Sequence, residues 1–392
     1  MAGRVRIMLV GGGSGGHITP LLAVAHELKK ARPKAELVYV GQRGDGLGDI
    51  PSQDANIDKS YFVRAGKFRR YHGEGIRQIF DLPTLLKNIR DAWFVIVGIC
   101  QSYKLLRNLR PDVILMKGGF VGVPVGLAAA WLKIPYITHD SDAIPGLANR
   151  IIARWAKMHA VALPKEIYRY PQDKTVAVGV PISHKFRPLT TTETRTVRGK
   201  LGLSKFKHIV FMTGGGLGAR RLNNAVAACV PKLLQKYPDL AVVQLAGRKL
   251  EAELRVTYDT LLSKADRGHV FVEGFITNLH EYSGAADVVI TRAGGTSIAE
   301  FAMQAKPCVV VPNPILAGGH QLKNAKVLEE RHAVKVVSNA VLEENAEALL
   351  LPLFELLDHP AEAQTLGENF AKIAQPDAAH RLAVLLLEQV KD

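Results

Sequence analysis

Short apolar runs of strand length alternate along the chain with longer stretches of helical periodicity, which is the pattern of parallel α/β units. The first half has a helix-length stretch at 20–31 and predicted strands at 5–10, 36–41, 112–118 and 135–140. The pattern then restarts, with a helix-length stretch at 221–237 and predicted strands at 208–213, 240–247, 269–275 and 286–291. The repetition predicts an α/β chain with two Rossmann-like domains in tandem.

A break in this pattern predicts the boundary between the two domains. Residues 182–206 hold threonine clusters, Pro188 and few apolar side chains, so we interpret this segment as the linker. At 392 residues the chain also exceeds what one hydrophobic core usually serves. We expect a first domain over 1–185, a second over 186–375, and a terminal helix in 376–392 that docks back on the first.

Composition favours a folded protein of a reducing compartment. The chain is 47% apolar and 22% charged, which argues for packed cores and against extended disorder. The three cysteines lie far apart and lack the spacing of a zinc site: Cys100, Cys229 and Cys308. The apolar stretch 92–100 is shorter than the ~20 residues of a membrane span. The short apolar run before the first glycines favours a strand over a signal peptide.

The formal charge of +15 calls for an anionic partner. Nucleic acid is disfavoured, because the chain has no RNA-binding signature, zinc finger or long basic tract. Residues 64–110 carry ten basic and three acidic side chains interleaved with aromatic and aliphatic ones. Such a mixture suits a surface that lies on anionic lipid headgroups. The alternative is a pair of ordinary amphipathic helices with solvated charges.

A glycine-rich loop follows the first predicted strand. Its spacing, Gly11-x-Gly13-x-x-Gly16, matches a dinucleotide-binding loop. A dinucleotide site also needs an acidic residue at the end of the second strand, and no carboxylate occurs there until Asp45. NAD is therefore disfavoured, and the alternative is a loop that holds the diphosphate of an acceptor. His17 follows the loop and is a candidate general base at its ordinary pKa; the alternative is a packing or capping role.

Two further loops of the second half are placed to bind phosphate. The segment 213–220 is a second glycine loop between a strand and a helix, and 291–302 places Gly294 to Ser297 at a helix start. Amides and hydroxyls at a helix start suit a diphosphate, and Glu300 one turn later suits a ribose. The alternative is a capping box between Thr296 or Ser297 and Glu300.

These motifs together resemble those of the GT-B glycosyltransferases, two Rossmann-like domains facing a cleft. More narrowly, the chain resembles glycosyltransferase family 28 enzymes that transfer N-acetylglucosamine (GlcNAc) from UDP-GlcNAc to lipid I in peptidoglycan synthesis. The resemblance covers nearly the whole chain and rests on 11–28, 117–150, 178–182, 214–220, 275–300 and 312–325.

The resemblance implies a role for individual residues. His17 becomes the favoured base. The acceptor diphosphate pocket is implied to consist of Ser14, Gly15, Gly16, Gly118 and Gly119. The donor site is implied to consist of Gly295, Thr296 and Ser297 at the UDP phosphates, the adjoining Ile298 and Ala299, Glu300 at the ribose, Ile276 at the uracil, and Gln321 near the sugar. Residues 64–110 then correspond to a membrane-docking surface.

The chain departs from the family pattern mainly on the donor side. The family's HEQN is His139-Asp140-Ser141-Asp142 here, so Asp142 replaces a donor-contacting asparagine and becomes a second candidate base. Where the family has GNPVR, this chain has Ser183 in place of the arginine that would meet the donor phosphates. Where the family has GGSQGAR, this chain has Gly216 and Leu217, and the family's QQ pair is replaced by His320-Gln321. The resemblance implies that Ser183, Gly216 and His320 lie at donor-binding positions. We hypothesise that one of three arginines restores the lost positive charge: Arg220, Arg221 or Arg292.

We therefore expect an inverting transfer without cofactor or metal, since the sequence has no DxD-like pair and helix dipoles can stabilise departing UDP. The expected partners are UDP-GlcNAc, lipid I, the anionic inner-membrane surface and cell-wall synthesis proteins, and the expected location is the cytoplasmic face of the cell membrane, peripherally. Three alternatives stay open: a diacylglycerol-type glycosyltransferase, a nucleotide-sugar 2-epimerase, and a non-catalytic nucleotide-binding protein.

Overall fold

The computed structural model describes residues 5–66, 82–216, 218–314 and 319–390, with side chains from Asn88 onward in the helix that begins at Leu82. The described residues form two compact units. The first runs to Ser183 and takes in the C-terminal segment from Gln375, and the second comprises 184–314 and 321–374.

The first unit is built on a parallel sheet with strand order β3-β2-β1-β4-β5-β6-β7 among the described residues. Its strands are β1 Arg6–Val10, β2 Glu36–Gln42, β3 Lys59–Val63, β4 Val113–Met116, β5 Tyr136–Asp140, β6 Met158–Val161 and β7 Thr175–Ala177. The order reverses between β1 and β4, so the loops after these strands meet at a switch point, where Rossmann-like sheets bind ligands.

Helices cover both faces of this sheet. They are α1 Gly15–Ala31, α2 Asp49–Ser52, α3 Leu82–Leu109, α4 Gly122–Trp131, α5 Leu147–Ile152 and the C-terminal helix Ala378–Leu387. Alternation along β1 sends Ile7 and Leu9 into a core with α1, and Met8 and Val10 into a core with α4. The C-terminal helix completes the first of these cores, where Leu382 is fully buried.

The second unit repeats the plan with strand order β10-β9-β8-β11-β12-β13 in the described residues. Its strands are β8 His208–Thr213, β9 Leu240–Leu245, β10 Val270–Glu273, β11 Val288–Thr291, β12 Cys308–Val310 and β13 Lys335–Val336. Its helices are α6 Thr191–Lys200, α7 Arg220–Lys236, α8 Glu251–Leu261, α9 Leu279–Ala285, α10 Gly295–Met303, α11 His320–Glu330, α12 Asn339–Glu344, α13 Leu350–Asp358 and α14 Pro360–Ala371. The predicted α/β class with two Rossmann-like sheets is confirmed.

One local prediction was wrong, and the predicted linker segment holds a helix that was not predicted. The first helix begins at Gly15 instead of Pro20, so Pro20 lies inside α1 and His17 becomes the third residue of the helix. The segment interpreted as linker contains α6, which begins with a capping box between Thr190 and Glu193. That local hydrogen bonding stabilises a helix despite the low apolar content of the segment.

None of the helices in the described part of the chain is long and apolar enough to cross a membrane. The longest of them, α3, spans 28 residues.

Candidate functional site

In the first unit, the glycine loop after β1 packs directly against the loop after β4. A Cβ added at Gly119, where φ is +79°, would lie 2.4 Å from the carbonyl oxygen of Gly12. Only glycine tolerates both this approach and this backbone conformation. Tyr39 also fixes the loop, because its hydroxyl donates to the carbonyl of Gly11 at 2.6 Å. The structure thus brings Gly118 and Gly119 together with the loop that leads to His17.

His17 is oriented by the loop that precedes it. Its Nδ1 lies 3.1 Å from the carbonyl oxygen of Gly12 and 3.1 Å from Ser14 Oγ. A carbonyl oxygen only accepts hydrogen bonds, so Nδ1 carries the proton and Nε2 keeps its lone pair. Nε2 is 3.6 Å from the Cβ position built at Gly118. The imidazole therefore presents its basic nitrogen toward the loop after β4.

The pKa of His17 differs from the sequence-based expectation. Burial and the nearby Lys117 ammonium lower this pKa to about 4, against the opposing effects of the Gly12 carbonyl, Asp142 and Asp45. The expectation of a base at its ordinary pKa was therefore wrong, because desolvation disfavours the imidazolium form. At neutral pH His17 is uncharged and is able to accept a proton.

Ser14, Gly15 and Gly16 form the start of α1. Ser14 is the N-cap residue and makes no side-chain capping hydrogen bond, and the two glycines open the helix. The positive end of the helix dipole lies at this start and favours an anion. This geometry suits a phosphate group, as predicted from the sequence.

Asp45 reaches the same loop from the segment after β2. Its Oδ2 accepts the amide of Gly13 at 2.6 Å, and its Oδ1 accepts the amide of Leu47 at 3.1 Å. The carboxylate therefore braces the glycine loop instead of facing a ribose. Sequence reasoning noted Asp45 only as too distant for a dinucleotide site, because a contact between two loops leaves no local signature.

The segment that departs from the family pattern follows β5. His139 Nε2 donates to the carbonyl of Gly179 at 2.8 Å. Burial holds the pKa of His139 well below the ordinary value. Burial raises the pKa of Asp140, whose carboxylate accepts three hydrogen bonds, from Gly146 N, Asn149 Nδ2 and Tyr170 Oη. These interactions anchor the segment that carries Asp142.

Asp142, the second candidate base, lies in the same neighbourhood as His17. Its main-chain oxygen accepts the Tyr168 hydroxyl at 3.0 Å. Its carboxylate is close enough to His17 to raise the pKa of the imidazole. The structure therefore brings the two candidate bases together, and the choice between them stays a prediction.

In the second unit, α10 begins where the sequence placed the donor phosphates. Gly294 is the N-cap residue and the helix starts at Gly295, without a side-chain capping hydrogen bond. The first hydrogen bond of the helix runs from the Ile298 amide to the Gly294 carbonyl. The alternative of a capping box is therefore wrong, because Thr296 and Ser297 lie inside the first turn with Ile298 and Ala299 following them.

Glu300 is a buried carboxyl group near this helix start. It is 5% exposed, and burial raises its pKa to about 8. Burying a carboxylate without a charged partner is unfavourable, so the neutral acid predominates at pH 7. A strongly shifted carboxyl group next to a helix N-terminus is typical of a ligand site.

Helix α11 is tied to the same helix start. The side chain of Gln321 is buried, and its Oε1 accepts the amide of Asn313 at 2.8 Å. Asn324 donates to the carbonyl of Ala293 at 3.0 Å, a contact that sequence reasoning missed. His320 is the first residue of α11. The structure thus places Gln321 beside the loop that opens α10, whereas the roles of His320 and Gln321 stay predictions.

The three arginines considered for charge compensation all have partners. Arg220 pairs with Glu253 and Arg221 with Glu343. Arg292 is buried and donates to the carbonyl of Val311 at 3.1 Å and to Asn339 Oδ1 at 3.0 Å. Their suggested role in binding a donor therefore stays a hypothesis.

The remaining predicted donor residues are dispersed. Gly216 lies in the loop between β8 and α7, Ile276 follows β10 and packs against the second-unit core, and Ser183 directly precedes the first residue of the second unit. Leu217 lies outside the described residues. In the described part of the chain, no group of three or more His, Cys, Asp or Glu side chains is arranged to hold a metal ion.

Helix α3 carries an exposed apolar stripe on the first unit. Ile89, Trp93 and Ile96 are 59%, 59% and 54% exposed, and nearby Trp131 at the end of α4 is 73% exposed. Tyr103 joins the two helices, since its ring lies 5.3 Å from that of Trp131. We call Ile89, Trp93, Ile96 and Trp131 the apolar stripe. The part of the predicted membrane surface at 67–81 lies outside the described residues.

Comparison with known proteins agrees with these features. Models for the N-terminal and C-terminal domains of glycosyltransferase family 28 match residues 7–161 and 209–382. Two relatives are named UDP-N-acetylglucosamine–N-acetylmuramyl-(pentapeptide) pyrophosphoryl-undecaprenol N-acetylglucosamine transferases. The Bacillus cereus protein is 30% identical over 389 residues, which cover 99% of this chain and 100% of the relative. The Moorella thermoacetica protein is 31% identical over 391 residues, with the same coverage.

Solved structures share the fold. Acinetobacter baumannii MurG superposes with a TM-score of 0.66 at 23% identity, covering 98% of this chain and 100% of that protein. The UDP-GlcNAc 2-epimerase of Neisseria meningitidis, bound to UDP-GlcNAc, superposes with a TM-score of 0.69 at 15% identity and the same coverage. The fold therefore does not separate transferase from epimerase, but the full-length sequence similarity does. The chain belongs to glycosyltransferase family 28, within the group of N-acetylglucosamine transferases represented by its Bacillus and Moorella relatives.

Proposed function

We propose that this protein transfers GlcNAc from UDP-GlcNAc to the muramic acid 4-hydroxyl of lipid I, giving lipid II with inversion at the anomeric carbon. The relatives named above are transferases of the same sugar to a pyrophosphoryl-undecaprenol acceptor. The observation that carries the proposal is the arrangement of His17, whose Nδ1 is held by the Gly12 carbonyl beside an anion-binding helix start. That arrangement supports a base positioned next to a diphosphate.

On the acceptor side, the diphosphate lies at the start of α1, against Ser14, Gly15, Gly16, Gly118 and Gly119. The acceptor hydroxyl attacks the anomeric carbon from the face opposite UDP. His17 Nε2, or the carboxylate of Asp142, takes the proton of that hydroxyl as the new bond forms. The low pKa of His17 keeps the imidazole unprotonated across the physiological range, which is the form that accepts a proton.

On the donor side, the UDP phosphates lie at the start of α10, near Gly295, Thr296 and Ser297. The helix dipole stabilises the negative charge that builds up on UDP as the glycosidic bond breaks. Glu300 binds the ribose hydroxyls, Ile276 contacts the uracil, and Gln321 lies near the sugar. The burial of Glu300 supports its role, since a desolvated carboxyl group gains hydrogen bonds when the ribose binds.

The test is UDP release and product analysis with UDP-GlcNAc and a short-chain lipid I analogue in detergent. We expect lipid-dependent UDP release by the wild type and a loss of about a hundredfold or more in His17→Ala, within the range for a general base. His26→Ala is the matched control, because it removes a histidine from the same helix α1 outside the loop cluster. Transfer only to a diacylglycerol acceptor, or epimerisation of UDP-GlcNAc without lipid, would reject the proposed reaction.

We also propose that the apolar stripe docks the first unit peripherally on the cytoplasmic face of the cell membrane. Exposed side chains at Lys104, Arg107 and Arg110 of the same region supply positive charge. Apolar insertion and attraction to anionic headgroups together give stable but reversible attachment. This location would bring the start of α1 to a lipid-linked acceptor.

Membrane docking is tested by co-sedimentation with vesicles of phosphatidylglycerol and phosphatidylcholine. We expect binding that increases with the phosphatidylglycerol fraction and decreases with salt. The variant Trp93→Ala/Ile96→Ala removes half of the apolar stripe. Val256→Ala/Leu351→Ala is the matched control, because these second-unit residues are 64% and 68% exposed. Equal loss of binding in both variants would reject the stripe as the docking surface.

A further inference from the structure

Lys117 is a buried cation at the centre of the first-unit loop cluster. It follows β4 directly, its amide donates to the carbonyl of Val10 at 2.9 Å, and the residue is 3% exposed. The two following residues are Gly118, which lies beside the His17 imidazole, and Gly119, which approaches Gly12 in the loop before α1. The side chain is therefore fixed at the sheet edge where the loops after β1, β4 and β5 meet.

The ammonium group makes one hydrogen bond to the rest of the described protein. Its Nζ donates to Ser141 Oγ at 2.8 Å. Its other two N–H donors meet no acceptor among the described residues. Donors on a buried charged group are costly to leave unsatisfied. The geometry therefore indicates a charged group whose remaining N–H donors suit an anionic ligand.

The neighbouring carboxylates do not complete the coordination of this ammonium. Asp140 already accepts hydrogen bonds from Gly146, Asn149 and Tyr170. Asp140 and Asp142 act on Lys117 through their charges, and these two carboxylates oppose the desolvation of the ammonium. These two carboxylates thus favour the charged form of Lys117, and no ion pair covers the ammonium within the described residues.

We propose that Lys117 is an acceptor-binding residue whose ammonium donates to the diphosphate of the lipid acceptor, an inference that rests on the proposed function. The amides at the start of α1 and the glycines at 118 and 119 bind phosphate oxygens by neutral donors. Lys117 adds a full positive charge to that set, and a charge-assisted hydrogen bond is about twice as strong as a neutral one. None of the residues inferred from the sequence supplies such a charge on the acceptor side.

The ionisation of Lys117 gives this role a pH signature. Burial lowers the pKa of the ammonium to about 8. The titratable groups that act on it are the carboxylates of Asp140 and Asp142, and its charge in turn lowers the pKa values of His17 and His139. Above pH 8 the free protein loses the charge, so the acceptor KM of the wild type should rise about tenfold between pH 7 and pH 9.

The first experiment compares the wild type with Lys117→Met, a substitution of similar length without charge. With UDP-GlcNAc and a short-chain lipid I analogue at pH 7, we expect the acceptor KM of the variant to rise roughly 10- to 100-fold, the range for a charge-assisted hydrogen bond. The donor KM should stay within about threefold, and the rise of acceptor KM between pH 7 and pH 9 should disappear. Ser141→Ala is the matched control, because it removes the hydrogen-bond partner and keeps the ammonium.

A second readout does not depend on transfer. Calorimetric binding of geranyl diphosphate should weaken by a similar factor in Lys117→Met and little in Ser141→Ala. If the wild type transfers no GlcNAc but this difference appears, the proposed reaction fails and the diphosphate site stands. A variant with lowered kcat at unchanged acceptor KM would show that Lys117 acts through His17 or Asp142 and would overturn the inference. Unchanged diphosphate affinity, or an acceptor KM in the wild type that is flat to pH 9, would also overturn it.

Discussion

The pH dependence of transfer offers a sharp test of His17 as the base. A general base must be unprotonated to act, so kcat/KM falls as the pH falls through the pKa of that base in the free enzyme. The hydrogen bond of Nδ1 to the Gly12 carbonyl leaves Nε2 as the basic nitrogen, and burial together with Lys117 lowers the pKa to about 4. The acidic limb of the profile should therefore lie well below the ordinary histidine range.

The magnitude follows from the two pKa values. A base with a pKa of about 4 is ~97% unprotonated at pH 5.5, whereas a base with the ordinary pKa of about 6.5 is ~9% unprotonated. We therefore expect kcat/KM at pH 5.5 to stay within about a factor of two of its value at pH 7.5. An ordinary histidine would reduce it roughly tenfold over the same interval. The diphosphates of both substrates are diesters and do not titrate there.

The assay is initial-rate UDP release at subsaturating lipid I analogue from pH 5 to pH 8, with stability checked at each pH by thermal unfolding. Lys117→Met gives a second constraint, because loss of the neighbouring ammonium should move the acidic limb upward. A tenfold fall in wild-type kcat/KM between pH 7.5 and pH 5.5, with an apparent pKa near 6.5, would refute the reasoning. Retention of the full rate by His17→Ala would assign the proton transfer to another group, Asp142 first.

Three further predictions concern binding and stability. Binding of UDP-GlcNAc should release about 0.9 proton per molecule at pH 7, because the ribose favours the ionised form of Glu300, whose pKa in the free protein is about 8. Calorimetry in buffers of different ionisation enthalpy measures this release. The variant Glu300→Gln should release no proton. His159 is 2% exposed and stacks on a tyrosine ring, and burial followed by the nearby Lys174 charge lowers its pKa to about 4. The unfolded state then binds an extra proton between pH 6.5 and pH 4, so stability is lost as the pH falls. Between pH 7 and pH 4.5 the free energy of unfolding of the wild type should fall by about 2 kcal/mol more than that of His159→Gln. Denaturant unfolding measures it through the fluorescence of the three tryptophans, which all lie in the first unit. Equal falls in both proteins would contradict this. Gly119→Ala should abolish folding or activity because its Cβ would meet Gly12, whereas Gly44→Ala, also at positive φ but with open space around the Cβ, should have a mild effect on the melting temperature.

The sequence predicted eight of the thirteen described strands, because buried parallel strands are continuous apolar runs, and it missed β3, β6, β7, β12 and β13. Each predicted strand overlaps an observed one, and differences are confined to their ends, as for 240–247 against Leu240–Leu245. Helix starts were harder. Proline favours the first turn of a helix, so Pro20 suggested a start five residues too late. The capping box at Thr190 was overlooked because its segment lacks the periodic apolar residues of a packed helix.

The candidate site was predicted in part, for a physical reason. Glycine loops and the His17 position have local signatures, since a tight turn before a helix requires glycine at particular positions. Lys117 and Asp45 have none, because each matters through a partner distant in sequence: Ser141 for one and Gly13 for the other. The pKa of His17 likewise depends on burial, which a single sequence position does not reveal.

The C-terminal helix has a consequence for how the protein is made. Leu382 and Leu386 are fully buried in the core that also contains Leu21 and Val24 of α1. During synthesis, Leu21 and Val24 leave the ribosome early, whereas Leu382 and Leu386 leave it after the second unit has been translated. The core of the first unit is therefore complete only after translation of the second unit. The part of the α1 surface that the C-terminal helix covers therefore lacks its partner until residues 378–387 have been translated.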